Sequence, residues 1–200
     1  MIHSSTDGDC LIITLDRPDK ANALTLEMLQ TLADTVEGAT AKVLILTGNG
    51  RVFSAGADLD AARAGLATSP LWERLSGAVA DYAGLTIAAI NGTVAGGAMG
   101  MVLACDLRIS VTDAKFFYPV MRLGFLPQPS DVMRMGALVG PSRTKFVLMA
   151  GQKVPASEGL GWGLVDQIVT AENLIGTAKA LATDALGASQ AHIIAIKRMI

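Results

Sequence analysis

The stretch from Leu85 to Cys105 carries no charged side chain, and an uncharged run of that length must either cross a bilayer or lie inside a folded core. Its internal punctuation favours the core. Thr86-Ile87-Ala88-Ala89-Ile90 is a short β-like run, Asn91-Gly92 is turn chemistry, and Gly96-Gly97-Ala98 opens a second apolar stretch. The segment therefore reads as a buried strand, a glycine turn and a buried helix, with no membrane insertion. A chain of 200 residues is long enough to bury such elements in one domain.

The same strand and helix patterns recur around this segment. Cys10–Leu15 and Lys42–Thr47 are β-rich, and an amphipathic helix is expected at about Leu26–Val36 with Thr25 as its N-cap. Helical patterns follow at Asp58–Ala64 and Pro70–Ala83, with short strands at Leu107–Val111 and Lys115–Tyr118. From Ser130 onward the pattern is almost wholly helical. This is the layout of an α/β core followed by a helical region; the nearest candidate for a boundary lies near Pro141 or Gly151.

Sixteen basic residues against eighteen acidic ones leave no charged block of the kind a nucleic-acid surface needs. Cys10 and Cys105 sit in apolar stretches without metal or redox spacing, and His3 and His192 stand apart from them, so no metal site is expected. Without a charged-then-apolar leader at Met1, the expected compartment is cytoplasmic.

Two glycine turns carry the candidate chemistry. Val43–Gly50 is a strand running into a glycine loop, but Phe53 stands where a dinucleotide fingerprint needs its third glycine. Beyond it, Ser54-Ala55-Gly56-Ala57 places four small residues before Asp58 and a short helical pattern. Small side chains let a ligand touch the backbone, and helix starts offer unpaired N–H groups; an ordinary turn capped by Asp58 explains the same residues. Ala95-Gly96-Gly97-Ala98 repeats the arrangement. Two such turns supply two donors for one oxygen, which is what an oxyanion hole requires.

Taken in order, several blocks resemble the enoyl-CoA hydratase/isomerase (crotonase) family. They are Arg17–Leu24, Phe53–Leu59, Ala89–Gly92 with Ala95-Gly96-Gly97, Ala104–Arg108, Leu123–Pro127, Leu138-Val139-Gly140 and Ala156–Val165. The resemblance implies a spiral of ββα units over about residues 1–140, followed by a helical region over about 141–200 that is shortened relative to the family, all in one domain. It implies an acyl-CoA substrate, no cofactor beyond the coenzyme A of that substrate, and a homo-oligomer, either trimer or hexamer. Ala57 and Gly97 fall on the oxyanion-hole N–H positions. Lys20, Ala21 and Ala23 fall in the stretch along the CoA nucleotide, and Ala55, Asp58 and Leu59 flank the adenine and pantetheine path. The family's further C-terminal helices often close the acyl pocket, so an exposed apolar groove is expected unless another surface covers it.

The resemblance breaks where hydratases carry two glutamates. In G-G-G-x-E the last position is Gly100, and in P-E-x-x-x-G the glutamate position is Val120, which faces an acyl chain instead. Where other members carry an acid just after L-G-x-x-P, this chain has Gln128, a candidate catalytic side chain that donates and accepts hydrogen bonds without titrating. Asp131, at the start of a helix, is expected to cap or charge its first turn. Glu73 and Asp81 share a helix face and are expected in solvent, while Tyr118 shares a face with Val120 and is a candidate catalytic side chain. Two-glutamate hydration is thus not expected; the readings are an enolate-stabilising enzyme or, alternatively, a non-catalytic acyl-CoA-binding protein.

Overall fold

The computed structural model describes residues 1–200, and the chain winds as repeated strand–strand–helix units between two sheets. It opens with β1 (Ile2–Asp7), β2 (Cys10–Leu15) and α1 (Leu26–Gly38). Three turns of the spiral follow: β3 (Val43–Gly48), β4 (Val52–Ser54) and α2 (Leu59–Arg63) with α3 (Leu71–Ala80); β5 (Leu85–Ile90), β6 (Thr93–Ala95) and α4 (Ala98–Ala104); β7 (Leu107–Val111), β8 (Lys115–Phe117) and α5 (Val120–Leu123). The first strand of each turn joins a six-stranded sheet ordered β1-β2-β3-β5-β7-β10, and the second joins a four-stranded sheet ordered β4-β6-β8-β9.

The remaining elements are α6 (Pro129–Leu148), β9 (Val154–Pro155), α7 (Ala156–Trp162), β10 (Gln167–Val169), α8 (Leu174–Leu181), α9 (Thr183–Gly187) and α10 (Gln190–Lys197). The expectation of an almost wholly helical chain beyond Ser130 is corrected by β9 and β10, which close the edges of the two sheets. Both are too short to show an alternating pattern, and their pairing partners lie far back in the chain. Helix α6 is broken at Gly140, whose φ of 80° and ψ of 165° interrupt it just before Pro141. The polar edge strand β1, His3-Ser4-Ser5-Thr6, also escaped the hydrophobic pattern because it is exposed and held by antiparallel pairing to β2.

The uncharged segment becomes β5, β6 and α4, each buried between neighbours, and no helix is long and apolar enough to cross a membrane. Strands β3 and β5 are nearly continuous apolar runs because both faces of this parallel region are covered. Thr25 caps α1 as expected, its hydroxyl accepting from Met28 N at 3.2 Å. Cys10 and Cys105 are free and buried.

The first loop is tied to the spiral by Asn22, which is fully buried. Its side chain accepts from Arg17 N at 2.7 Å and donates to Asn49 O at 2.9 Å and Val52 O at 2.7 Å. Its backbone, like that of Ala21, lies in the left-handed region, with φ of 52° and 51°. Asparagine tolerates that conformation better than most residues. Asn22→Ala would leave Arg17 N and Asn49 O without these partners in a buried corner, and Val52 O with the longer bond from Asn91 Nδ2 at 3.3 Å. We expect it to cost about 2–4 kcal/mol of unfolding free energy in urea titrations; a loss under about 0.5 kcal/mol would show that the corner is held by other contacts.

Candidate active site

Two loops meet at one cavity. The first, Ser54–Asp58, leaves β4 and runs into α2; the second, Gly96-Gly97, leaves β6 and runs into α4. Gly56 lies between them with φ of 87°, and a Cβ there would stand 2.7 Å from Ala95 O. Only glycine fits both the conformation and the contact.

The first loop is also laced to residues 21–24 in the manner of a parallel strand pair. Ala55 N donates to Ala21 O at 2.9 Å, Leu24 N to Gly56 O at 2.8 Å, and Asp58 N to Leu24 O at 2.9 Å. This pattern uses Ala55 N and Asp58 N, Gly56 N donates to Ser54 Oγ at 3.2 Å, and Ala57 N is left without an acceptor. In the second loop Gly96 N donates to Phe117 O, Met99 N to Gly96 O and Gly100 N to Gly97 O, while Gly97 N has no acceptor. Ala98 N is also unpaired, but Ala98 is fully buried whereas Gly97 is part-exposed. The ring of Trp72 lies 2.8–2.9 Å from where a Gly97 Cβ would be, so the absence of a side chain is what lets the indole pack there. Its Nε1 donates to Leu66 O at 2.7 Å, fixing the ring.

Ala57 and Gly97 line one cavity of about 160 Å³ together with Ala55, Leu59, Trp72, Tyr118, Val120 and Gln128. Leu123, Phe125 and Leu126 add apolar surface to its lining. A neighbouring depression shares Ala55, Ala57 and Leu59 with it and adds Lys20, Ala23, Asp58 and Arg63. The two make one groove, with a charged part where Lys20 and Arg63 stand beside Asp58 and Asp60, Arg63 pairing with Asp60 at 3.1 Å, and an apolar part. Ala21 is set back from both, its carbonyl occupied by Ala55 N. Asp58 has two tasks: its carboxylate caps α2 by accepting from Asp60 N and Ala61 N, and it pairs with Arg17 at 2.7 Å. That guanidinium, aided by the α2 amides, holds the Asp58 carboxyl below its ordinary value. The capping explanation of Asp58 is thus correct, and it coexists with the open amide one residue earlier.

Behind the cavity lies a polar cluster. Asp131 is in the first turn of α6 but caps nothing; it is 1% exposed, and its Oδ2 accepts from the Tyr118 hydroxyl at 2.9 Å. Its Oδ1 is buried without a partner. The expected capping role is therefore corrected: the side chain turns inward, toward the space that Gly100 leaves open. Glu73 is corrected as well, since it is half-buried and accepts from Ser130 N at 3.0 Å, supplying the acceptor at the start of α6. Asp81 is exposed, as expected, and so is His192. No sequence pattern marked Trp72, Arg63 or the inward turn of Asp131. Their positions depend on how α2, α3 and α6 pack around the loops.

A spiral fold of this kind has known counterparts. The family model described as enoyl-CoA hydratase/isomerase matches residues 6–200. The chain belongs to the enoyl-CoA hydratase/isomerase family. It is 34% identical over 212 residues to a carnitinyl-CoA dehydratase of Citrobacter koseri, covering 99% of this chain and 79% of that one. Among solved structures, DspI of Pseudomonas aeruginosa superposes with a TM-score of 0.90 at 31% identity, covering 98% of this chain and 84% of that one. An enoyl-CoA hydratase from Bacillus anthracis gives 0.91 at 29% identity, covering 98% and 81%. The expected α/β spiral is thus observed both in the topology and in its relatives.

Within this family member, burial pushes the Asp131 carboxyl up to about 6; nearby Glu73 adds to the rise, while the Tyr118 hydroxyl and Arg134 oppose it. Burial, with Asp131 beside it, also raises the Tyr118 phenol well above its ordinary range. The folded chain therefore holds the Asp131 proton more tightly than the unfolded chain does. Its contribution to stability is most favourable below the unfolded value near 4 and is lost as pH rises through about 6. Between pH 4 and 7.5, wild type should lose on the order of 3 kcal/mol relative to Asp131→Asn, which cannot ionise. Denaturant titrations of the two proteins across that range test this, and a difference that stays constant with pH would contradict it.

Proposed function

We propose that the groove binds an acyl-CoA thioester with its carbonyl oxygen between Ala57 N and Gly97 N, and that these donors stabilise the enolate formed when the α-carbon loses a proton. The observation that carries the reading is the pair of unpaired amides on one cavity, in loops whose other amides are mostly occupied. Fixed donors aimed at a developing oxyanion lower the barrier without reorganising as the charge appears. The nucleotide end of the ligand would lie along Lys20, Ala23, Ala55, Asp58 and Leu59, where the Lys20 and Arg63 cations suit a pyrophosphate. The acyl chain would run toward Val120, Leu123, Phe125 and Leu126. The printed names of the relatives, a dehydratase and a hydratase of CoA esters, agree with this substrate class.

Hydration by two glutamates is not the chemistry proposed, because Gly100 and Val120 bring no titratable group to their positions. Those two positions also favour a second reading, a protein that binds acyl-CoA without turnover. No cofactor beyond the coenzyme A of the substrate enters either reading. We further infer a homo-oligomer, trimer or hexamer. Met121, Leu126 and Met149 stand 58%, 87% and 59% exposed around an apolar groove of about 600 Å³ beside α6, a surface that subunit contact would remove from water.

A panel of enoyl-, malonyl- and hydroxyacyl-CoAs, each followed by mass with the purified protein, separates the readings. Turnover of at least one is expected. Binding of the esters without turnover of any supports the carrier reading, and absence of both binding and turnover contradicts the proposal. The donor itself is tested by a pair of variants. Gly97→Ala and Gly97→Pro both place a Cβ against Trp72, but only proline removes the N–H. Gly97→Pro should turn over its substrate about 100- to 1,000-fold more slowly than Gly97→Ala; equal rates in two folded variants would remove Gly97 from the oxyanion site.

A further inference from the structure

The carboxylate missing from α4 has a replacement in space. A Cβ on Gly100 would stand 2.6 Å from Asp131 Oδ1 and 3.2 Å from its Cγ and Oδ2. The Asp131 carboxyl group thus occupies the volume where a side chain of residue 100 would begin, having entered it from α6. Gly100 lies one helical turn beyond Gly97, on the same side of α4. Asp131 touches the cavity only through Tyr118, which lines it and donates its hydroxyl to Oδ2. Leaving Oδ1 buried and unpartnered is costly for a purely structural aspartate. A side chain kept at such a cost beside a functional cavity is a candidate for function.

Building on the acyl-CoA reading, we propose that Tyr118 and Asp131 form the proton-transfer pair of this site, with Tyr118 as the catalytic residue and Asp131 as the positioning residue that holds the proton. As the Cα–H bond of the thioester breaks, its proton passes to the Tyr118 oxygen and the Tyr118 hydroxyl proton passes to Asp131 Oδ2. The C–H electron pair enters the enolate, and its charge rests on the oxygen facing Ala57 N and Gly97 N. Reversal returns a proton to the substrate and leaves Asp131 ionised. Tyrosine ends each cycle unchanged, so its high affinity for its own proton is no obstacle to a concerted relay.

The charged groups around Asp131 are Glu73 from α3 and Arg134 from α6; α4 (Ala98–Ala104) carries no charged residue and meets Asp131 at Gly100. Burial, with Glu73 beside it, outweighs the Tyr118 hydroxyl and Arg134 and sets the carboxyl near 6, where an aspartate exchanges protons readily near neutral pH.

The experiment is exchange of the α-hydrogens of butyryl-CoA in D₂O, followed by mass, with binding of the same ester measured separately by calorimetry. Wild type should exchange, with a rate that rises with pH and a midpoint near 6. Tyr118→Phe and Asp131→Asn should each slow exchange at least about 100-fold while retaining affinity for butyryl-CoA. The double variant should be no slower than the singles, because one relay is lost once. Gly100→Ala removes no polar atom, yet it should slow exchange by displacing the carboxylate. Wild-type exchange that persists in both single variants overturns the pair, and so does a folded wild type that binds butyryl-CoA but exchanges nothing, while leaving the acyl-CoA reading intact. Failure to bind the ester overturns both.

Discussion

Three backbone hydrogen bonds between residues 21–24 and 55–58 set the geometry on which everything else rests. In a parallel pairing, alternate amides of a strand point toward its neighbour and the others point away. The lacing consumes Ala55 N and Asp58 N and the carbonyl of Gly56, and Ala57 N is left without an acceptor in a residue that lines the cavity. The pairing depends on Asn22, whose buried side chain joins the first loop to the turn between β3 and β4. Its backbone carbonyl is bound by the Ser54 hydroxyl at 2.8 Å. A left-handed backbone at Ala21 and Asn22 is the local cost of bringing that loop against the next turn of the spiral.

Much of this frame was legible in the sequence where the signal is local. The apolar runs of β3 and β5, the Thr25 cap, and the small residues at 54–57 and 95–98 each follow from one stretch of chain. The resemblance pairs Ala57 and Gly97 as donors, and both residues line one cavity. What the sequence could not show depends on distant packing. Asp131 looks like any acid in a first helical turn until α6 is laid across α4 and the space beside Gly100 opens. Glu73 looks solvated on its own helix because the amide it accepts from belongs to Ser130, in another helix. Trp72 carries no motif, yet its ring fits against Gly97 because that residue has no side chain. Short edge strands such as β10 are equally silent, since three residues define no period.

Gly100 and Asp131 are best understood together. A glycine in the interior of a helix is a weak helix former, and a buried carboxylate with an open oxygen is costly. Each is a local liability, and each makes room for the other. Conflicts between local preference and global structure concentrate at functional sites in proteins that otherwise fold consistently. One proposed oxyanion donor, Gly97 N, lies one turn before Gly100 at the start of α4, and the other, Ala57 N, comes from the loop before α2. The part of the cavity lined by Val120, Leu123, Phe125 and Leu126 is apolar and suits an acyl chain.

The most direct measurement of the central claim is a crystal structure of the protein with a bound acyl-CoA. The account predicts the thioester oxygen at about 3 Å from both Ala57 N and Gly97 N, with the α-carbon turned toward Tyr118. An ester bound elsewhere in the groove, with both amides still lacking an acceptor, would contradict it.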